Sequence, residues 1–377
     1  MSHLLPFSVD VAIIGAGMAG ASLAAALAPC RSVVMIEAED MAGYHATGRS
    51  AAFWQESYGG PQVQPLTRAS EQALASPDPQ FSPRGFLGER SALVIGTADE
   101  APQVEAFTSL FRSRGVHVDR LETDAFAARI LGARPEWSEA AIEYSCRDID
   151  VGALHQAYLR SAKGAGARLI TRCALKKAEW RDGLWHLETQ RGALTASLIV
   201  NAAGAWADQI AKICGVQPLG IQPFRRTMVQ VRLDADVPAN LPLIMHVGGQ
   251  FYFKGAGERR IWLTPHDETP MAPGDVAPDE MDVALAIDRL QSVVDWPIAA
   301  VERKWAGLRS FAPDRLPVFG ADPDMPAFIW CAGQGGFGIQ TAPAISSMLA
   351  AQLGAPPVDA VMRGLDPHIF SPTRFHA

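Results

Sequence analysis

Three glycines, spaced as Gly15-x-Gly17-x-x-Gly20, follow a short apolar run at residues 9–14. An Ala-rich segment of helical character continues from them, and residues 32–37 have the composition of a second buried strand. A tight strand-to-helix turn that approaches a pyrophosphate needs residues without a Cβ atom at this spacing, and the amino terminus of the helix favours the phosphate charge. The sequence therefore predicts a βαβ unit that binds a dinucleotide.

Glu37 ends the second predicted strand. In dinucleotide-binding proteins, a carboxylate about 20 residues after the glycines accepts hydrogen bonds from a ribose, and Glu37 lies near that position. The same carboxylate would repel a 2′-phosphate. The alternatives are a glycine turn without a ligand and an acid that is merely exposed at a strand end. The strand before the glycines and the helix after them favour the nucleotide, and both NAD and FAD fit these residues.

Two further glycine-rich turns distinguish FAD from NAD. Ala203-Gly204-Ala205 lets a main chain approach closely, and the segment 333–338 follows a predicted strand at 328–332. An elongated FAD needs main-chain contacts along its whole length, whereas an NAD domain needs no further turns of this kind. Backbone amides and a helix amino terminus near the flavin would stabilise its anionic reduced form. We therefore predict FAD; a loop that only closes the sheet is the alternative for 333–338.

The composition is typical of a globular protein with small-molecule partners. With 33 basic and 40 acidic residues the net charge is -7, and no basic stripe predicts binding to nucleic acid. The five cysteines are scattered without a Cys-x-x-Cys pair, which argues against a disulfide framework and against a metal site. We find neither an export signal nor an apolar run of about 18 residues, so we expect a cytoplasmic protein without an integral membrane segment.

The predicted elements divide into two interleaved groups. Asp182-Gly183 and Arg191-Gly192 separate three successive predicted strands, as tight hairpin turns do, and the third strand returns the chain to the nucleotide unit. We predict an α/β fold with a Rossmann-like FAD-binding domain and an α+β substrate domain built on an antiparallel sheet. The FAD-binding domain is assigned to residues 1–75, 140–217 and 310–377, and the substrate domain to residues 76–139 and 218–309.

Segments along nearly the whole chain carry a family resemblance. They are 15–20, Gly43-Tyr-His-Ala-Thr-Gly-Arg-Ser50, Asp150 at a helix start, 201–206, Trp305-Ala-Gly-Leu-Arg309 with Pro313-Asp314, and 333–340. In this order and spacing the chain resembles the D-amino acid oxidase superfamily of flavoproteins, which includes glycine and sarcosine oxidases and D-amino acid dehydrogenases. Within it the chain is most similar to D-arginine dehydrogenases, especially in His45-Ala-Thr-Gly-Arg-Ser-Ala-Ala52, 222–226 and 338–341.

The resemblance implies FAD as the cofactor. We expect it to be bound non-covalently, because no cysteine lies in the segment 305–313 or beside Tyr252. The expected cofactor-binding residues are Gly15, Gly17, Met18, Ala19, Gly20, Glu37, Ala38, Thr47, Gly48, Arg49, Ser50, Ala51, Ala52, Leu175, Ala203, Gly204, Trp206, Gly333, Gly335, Gly336, Phe337, Gly338, Ile339 and Gln340.

The resemblance also implies a pocket above the flavin in which Arg309 and Tyr252 hold the substrate carboxylate, with Arg225 and Tyr58 as further candidates. A guanidinium offers a carboxylate two parallel donors, and a tyrosine hydroxyl can give a third. A surface arginine is the alternative for Arg225, a core tyrosine for Tyr252, and a packing or lid residue for Tyr58. The remaining expected pocket residues are Phe53, Ala92, Met245, His246, Gly336 and Gln340.

By the same resemblance, the reaction transfers a hydride from Cα to flavin N5 and gives an imino acid that hydrolyses to a 2-oxo acid and ammonia. The protein aligns the substrate and prefers its neutral amine, and no strong base is required. The resemblance favours a dehydrogenase, but the electron acceptor stays open among a quinone, a dye-like acceptor and oxygen. His246 is the one histidine considered as a proton handler, with a structural role as its alternative.

Two departures from the arginine-oxidising relatives bear on the substrate. Phe53 stands where those relatives have a histidine, which makes the pocket rim more apolar. A guanidinium substrate needs a buried carboxylate partner, yet the strand expected to supply it reads Arg90-Ser-Ala92-Leu-Val, and Glu56 and Glu89 lie only near that position. We therefore expect an apolar or neutral D-amino acid rather than D-arginine.

Three other functions remain open from the residues alone. The same carboxylate clamp suits an N-methylated or cyclic amino acid, such as sarcosine or proline, or a 2-hydroxy acid. A flavoprotein that transfers electrons or binds a partner, without oxidising amino acids, is an alternative of another class. An NAD enzyme is a third, although it would leave the second and third glycine turns unexplained.

Overall fold

The computed structural model describes residues 8–238, 240–358 and 364–375. The first seven residues, part of the segment read for an export signal, lie outside this range. The strands are β1 (Ser8–Ile14), β2 (Val33–Ile36), β3 (Phe53–Trp54), β4 (Leu87–Glu89), β5 (Ala92–Gly96), β6 (Val118–Leu121), β7 (Glu139–Glu143), β8 (Arg147–Ile149), β9 (Arg168–Ile170), β10 (Leu175–Arg181), β11 (Leu184–Thr189), β12 (Gly192–Asn201), β13 (Gln222–Leu233), β14 (Leu243–His246), β15 (Tyr252–Gly255), β16 (Arg260–Thr264), β17 (Thr269–Pro270), β18 (Ile298–Phe311), β19 (Val318–Ala321) and β20 (Phe328–Ala332). The α-helices are α1 (Met18–Leu27), α2 (Gln64–Ala75), α3 (Ala101–Ser113), α4 (Thr123–Ala127), α5 (Val151–Gly164), α6 (Ala207–Ile213), α7 (Glu280–Val293) and α8 (Ala342–Gln352).

The first sheet is built around β1. This strand is a parallel neighbour of both β2 and β12, and the parallel strands β9 and β20 extend the sheet on either side. Helices α1, α5 and α8 pack together over one face, where Leu23, Leu27 and Met348 enter the core. Because both faces of the central strands are covered, their sequences are continuous apolar runs. The meander β10–β11–β12 completes one edge.

The second sheet is largely antiparallel. Its strand order is β17-β13-β16-β15-β14-β5-β7-β6, and β18 pairs along nearly the whole length of β13. Helix α7 covers an apolar core that includes Val229, Phe253 and Leu290. The short strands β3, β8 and β4 form a small third sheet, whose residue Phe53 pairs with Asp148.

The observed elements agree closely with the α/β class and with most of the predicted segments. The chain enters the first sheet with β1 and β2, returns with β9 to β12 and returns again with β19 and β20. Asp150 caps α5 as expected, since its carboxylate accepts a hydrogen bond of 2.9 Å from the Ala153 amide. The sequence prediction missed β18 as a strand and recognised only the motif at 305–309; β3, β4 and β8 are too short to show a period. The domain boundaries remain a prediction.

The described residues lack two kinds of feature, a helix that could span a membrane and a cluster of metal-ligating side chains. Over this part of the chain, none of the helices combines the length and the apolar character needed to cross a membrane. Within the same ranges, no group of three or more His, Cys, Asp or Glu side chains is arranged to hold a metal ion.

Candidate active site

Four glycine-rich or acidic turns meet at one edge of the first sheet. The parallel strands β1, β2, β12 and β20 end there, so Gly15, Glu37, Ala203 and Gly333 follow neighbouring strands. In open α/β sheets, ligands bind outside the carboxyl ends of the strands. A cleft of about 400 Å³ lies at this edge and extends towards β18 of the second sheet.

The first turn fits a dinucleotide because side chains are excluded from it. Gly15 has a φ of +100°, and a Cβ atom on it would lie 2.6 Å from the Ala202 carbonyl oxygen. A Cβ atom on Gly20 would lie 2.0 Å from the Gly15 carbonyl oxygen, so only glycine allows α1 to start so close to β1. The start of α1 lines the cleft with Gly17, Met18 and Ala19, which is the position from which a helix amino terminus favours a phosphate.

Glu37 and Thr47 hold this turn in place. The Glu37 carboxylate accepts a hydrogen bond of 2.8 Å from the Ala16 amide and one of 3.0 Å from the Glu39 amide. The Thr47 hydroxyl accepts a hydrogen bond of 2.9 Å from the Met18 amide at the first turn of α1. Each carboxylate oxygen of Glu37 thus accepts a hydrogen bond from one main-chain amide, and Glu37 also lines the cleft.

The third glycine turn joins the two large sheets. Gly335 has a φ of +52°, and a Cβ atom on it would lie 2.2 Å from the Phe311 ring. Its amide donates a hydrogen bond of 2.9 Å to the Ser310 carbonyl at the end of β18. The turn that lines the cleft is therefore fixed against the strand that carries Arg309.

A small chamber opens from the cleft at this junction. The residues that line the chamber are Ser50, Ala52, Phe53, Tyr58, Tyr252, Arg309, Gly336, Ile339 and Gln340. Four of them, Ser50, Arg309, Gly336 and Ile339, line the cleft as well, so the two spaces adjoin. The structure thus brings together, from five separate chain segments, most of the residues expected to bind the substrate.

Arg309 is a buried cation without an anionic partner in the described residues. Its side chain is 6% exposed, and its hydrogen bonds reach only the carbonyls of Leu308, at 3.4 Å, and Arg49, at 3.5 Å. Burial lowers the pKa of this guanidinium from its usual value. An uncompensated buried charge is unfavourable, so the position is suited to a ligand that carries a negative charge.

Two tyrosines stand beside this cation. Burial raises the pKa of Tyr252 to about 12, although the nearby guanidinium groups of Arg226 and Arg309 act in the opposite direction. The Tyr252 hydroxyl therefore keeps its proton. The Tyr58 hydroxyl lies against Gly336, where a Cβ atom would come within 2.5 Å of it. The Tyr252 hydroxyl donates to the Met228 Sδ atom at 3.6 Å, a weak acceptor that a carboxylate could replace. Tyr58 and Tyr252 thus place two hydroxyls in the chamber that also contains Arg309.

The two adjacent arginines of β13 face opposite sides of the sheet. Arg225 forms an ion pair of 2.7 Å with Asp282 of α7 and lies within 4 Å of Asp267 and Asp279. Its charge is therefore balanced by acids, and it does not line the chamber. Arg226 is 2% exposed and forms an ion pair of 3.1 Å with Glu268, and its charge lowers the pKa of Tyr252. Side chains alternate between the two faces of a strand. Arg225, the candidate predicted from the sequence, therefore points away from Tyr252, and its neighbour Arg226 points towards it.

His246 lies away from the chamber, whereas a histidine that the sequence did not single out lies near it. The His246 Nε2 atom is 2.8 Å from Glu100, and its ring stacks on Phe251. The His266 ring contacts Tyr252 edge to face, with ring centres 5.7 Å apart. Burial lowers the pKa of His266 to about 3, with a further contribution from the Arg226 cation. His266 is therefore neutral.

Aromatic rings form an apolar wall of the chamber. Phe53 packs edge to face on Tyr58 and on Tyr252, with ring centres 5.0 Å and 5.6 Å apart. Ala92 and Met245 belong to the cluster behind these rings and do not line the chamber. The Gln340 amide is fully engaged with the main chain of Gln55 and Tyr58 and with Thr67.

Most of the predicted cofactor residues lie along the cleft. Those that line it are Gly15, Gly17, Met18, Ala19, Glu37, Ala38, Thr47, Arg49, Ser50, Leu175, Ala203, Gly204, Trp206, Gly333, Gly335, Gly336, Gly338 and Ile339. Gly20 and Gly48 instead permit close main-chain packing, and Ala51 and Phe337 are buried beside the chamber. The sequence prediction missed Gln209 and Gly274, which line the cleft from segments without a recognisable motif.

The sequence and the fold are similar to those of known proteins. Residues 10–352 match the family model described as FAD dependent oxidoreductase. FAD-dependent oxidoreductase domain-containing protein 1 from Bos taurus is 22% identical over 410 residues, which cover 93% of this chain and 82% of that protein.

Two solved structures share the fold over almost their whole lengths. The L-proline dehydrogenase from P. horikoshii superposes with a TM-score of 0.84 at 19% identity and covers 99% of each chain. The glycine oxidase from Geobacillus kaustophilus superposes with a TM-score of 0.82 at 23% identity and covers 98% of this chain and 99% of its own. At these identities the likeness is one of fold.

Proposed function

The chain belongs to the family of FAD-dependent oxidoreductases, and from this premise we propose that it oxidises the carbon–nitrogen bond of a small, apolar α-amino acid of D configuration. The family match confirms the resemblance to the D-amino acid oxidase superfamily and FAD as the cofactor. The D configuration and the similarity to D-arginine dehydrogenases rest on the resemblance of sequence motifs. Non-covalent binding of FAD is part of the proposal.

The observation that carries the proposal is the unpaired guanidinium of Arg309. It is buried at the junction of the cleft and the chamber and is flanked by Tyr252 and Tyr58. A substrate carboxylate would accept two parallel hydrogen bonds from Arg309 and further ones from the two hydroxyls. Since the described residues supply no carboxylate there, a free carboxylate on the substrate completes the charge balance.

The chain's own residues position the substrate and exclude water. Bound FAD supplies the acceptor for the two electrons that leave the substrate. Arg309, which lines both the cleft and the chamber, fixes the substrate carboxylate, and Phe53 supplies an apolar wall of the chamber, so Cα would be held next to the cleft. Alignment of this kind accounts for a large part of catalysis in reactions that need no strong base. The imino acid then leaves and hydrolyses to a 2-oxo acid and ammonia.

The substrate side chain is proposed to be small and apolar because the residues that line the chamber include no charged group besides Arg309, which is assigned to the carboxylate. Phe53, Tyr252 and Ile339 supply apolar walls, and Gln340 uses its amide within the protein. A charged side chain placed there would lose its hydration without compensation. The names of the two similar structures, a proline dehydrogenase and a glycine oxidase, support small amino acids as the class.

The visible spectrum of the purified protein under anaerobic conditions tests the proposal. We expect a flavin band that is bleached when D-alanine or another small apolar D-amino acid is added, with a 2-oxo acid formed in equal amount. Selective bleaching by sarcosine, proline or a 2-hydroxy acid would move the assignment to that substrate. A flavin band that no carboxylate substrate bleaches would reject the proposal.

A further inference from the structure

A buried carboxylate lies behind the chamber, outside the set of residues that line it. Glu143, at the end of β7, has an exposed fraction of 0%. It pairs in register with Ala92 of β5, the strand on which a carboxylate was sought from the sequence. Among the described residues, no lysine, arginine or histidine forms an ion pair with Glu143. Burial raises the pKa of this carboxyl, whereas its hydrogen bonds to Gln55, Ser57 and the Glu56 amide lower it.

Hydrogen-bond donors from one turn take the place of a cation. The turn consists of residues 55–58, and it is closed by a hydrogen bond of 3.2 Å from the Tyr58 amide to the Gln55 carbonyl. Glu143 accepts hydrogen bonds from the Gln55 side-chain amide at 3.1 Å, the Glu56 main-chain amide at 2.8 Å and the Ser57 hydroxyl at 2.5 Å. A further donor, Ser145 at 3.2 Å, lies outside the turn.

The opposite side of the turn is held by Gln340. Its side-chain oxygen accepts a hydrogen bond of 3.1 Å from the Gln55 main-chain amide, and its nitrogen donates one of 3.1 Å to the Tyr58 carbonyl. The turn is therefore fixed from two sides, by Glu143 of the second sheet and by Gln340 near the start of α8. Tyr58 lies at the end of the turn, with its hydroxyl against Gly336.

A carboxylate is well matched to this position, because it accepts hydrogen bonds at both oxygens and carries no donor. The three donors of the turn converge on it, so any displacement of the turn would leave a buried charge or a buried N–H group unpaired, which is unfavourable. Desolvation of Glu143 is thus compensated only when the turn is in the observed position. Preorganisation of this kind fixes side chains that must meet a ligand.

We propose that Glu143 is a positioning residue, which holds the turn 55–58 so that the Tyr58 hydroxyl stands beside Arg309 and donates to the substrate carboxylate. The proposal rests on the proposed function, because it assigns the carboxylate clamp to Arg309. Glu143 does not itself reach the substrate. Its effect on catalysis is expected to pass through Tyr58.

The test compares Glu143→Gln with Glu139→Gln in the FAD-loaded protein. Glu139 is the other glutamate of β7, and it pairs with Arg120 away from the turn. Hydrogen exchange of the amides of residues 55–60 reports on the turn independently of turnover. We expect about ten-fold faster exchange in Glu143→Gln, because an amide N–H group would replace one acceptor. Exchange at the wild-type rate in Glu143→Gln would overturn the proposal.

Anaerobic rapid mixing then separates substrate binding from flavin reduction. For Glu143→Gln we expect the apparent Kd of the amino acid to rise about ten-fold, with less than a three-fold change in the limiting rate of flavin reduction. In a Tyr58→Phe background the same substitution should have no further effect on Kd. Equal effects in the two backgrounds would show that Glu143 acts by another route.

Two milder variants keep the test decisive if Glu143→Gln does not fold. Ser57→Ala removes a donor that belongs to the turn, and Ser145→Ala removes a donor to the same carboxylate from outside it. We expect only Ser57→Ala to raise the Kd of the substrate, and equal effects would overturn the proposal. If no amino acid reduces the flavin of the wild-type protein, the proposed function fails. If amino acids reduce the wild-type flavin and the variants bind substrate with the wild-type Kd, only the role of Glu143 is rejected.

Discussion

Arg309 donates a hydrogen bond of 3.5 Å to the main-chain carbonyl of Arg49. Trp305, four residues earlier on β18, donates its indole N–H to the same carbonyl at 3.2 Å. The buried cation of the chamber is thereby tied to the loop that lines the FAD cleft. The position of the carboxylate clamp relative to the cofactor cleft is therefore set by side-chain contacts from β18 to the main chain of this loop.

Replacement of Arg309 should abolish most of the reduction of the flavin by amino acids. In Arg309→Met the substrate carboxylate loses its charged partner, which costs roughly 2 to 4 kcal/mol, or about 30- to 1000-fold in kcat/KM. Arg225→Lys is the matched control, because Arg225 contacts acids on the opposite side of β13. We expect the control to change kcat/KM less than three-fold; a larger loss there than in Arg309→Met would transfer the clamp to Arg225. Steady-state kinetics and anaerobic bleaching provide the measurement.

The nucleotide turn and the pairing of β1, β2 and β12 could be predicted from the sequence, because glycine spacing and apolar runs are local properties. The choice between Arg225 and Arg226 could not, since it depends on which face of β13 is turned towards Tyr252 and which towards α7. His266 and Glu143 gave no signal either. Their environments are created by residues distant in the chain, such as Gly249 for His266 and Ser57 for Glu143.

Gly15→Ala should destabilise the protein and prevent binding of FAD. The added Cβ atom would lie 2.6 Å from the Ala202 carbonyl oxygen at a φ of +100°. We expect a loss of about 2 to 4 kcal/mol in the free energy of unfolding. Gly164→Ala is the control, because no heavy atom lies within 4 Å of its added Cβ atom at the end of α5. Urea unfolding should show the control unchanged or more stable by up to about 1 kcal/mol.

Glu37→Gln should weaken the binding of FAD. The amide would retain one acceptor but would turn an N–H group towards the Ala16 or Glu39 amide or towards the ribose. We expect the Kd of FAD to rise about ten-fold, as measured by the quenching of flavin fluorescence on titration of the apoprotein. Glu188→Gln, an exposed substitution on β11, serves as the control. Equal affinities in the two variants would exclude a contact between Glu37 and the ribose.

The neutral state of the half-buried His266 predicts a loss of stability in weak acid. The pKa of His266 is about 3 in the folded protein, and its ordinary value, which applies to the unfolded chain, is 6.5. Below pH 6.5 the unfolded chain therefore binds a proton that the folded protein does not. Stability is therefore complete above about pH 6.5 and declines as the pH falls towards 3. His266→Asn should weaken this decline, because asparagine tolerates the φ of +55° at this position and does not titrate.

The measurement is the free energy of unfolding in urea at pH 7.5 and at pH 5, for the wild type, His266→Asn and His117→Asn. His117 has a side chain that is 72% exposed, so its replacement controls for the general effect of removing a histidine. We expect the difference between the two pH values to shrink only in His266→Asn. A difference that persists unchanged in this variant would mean that His266 titrates alike in the folded and unfolded chains, and that neither its burial nor its nearness to Arg226 and Arg309 keeps it neutral.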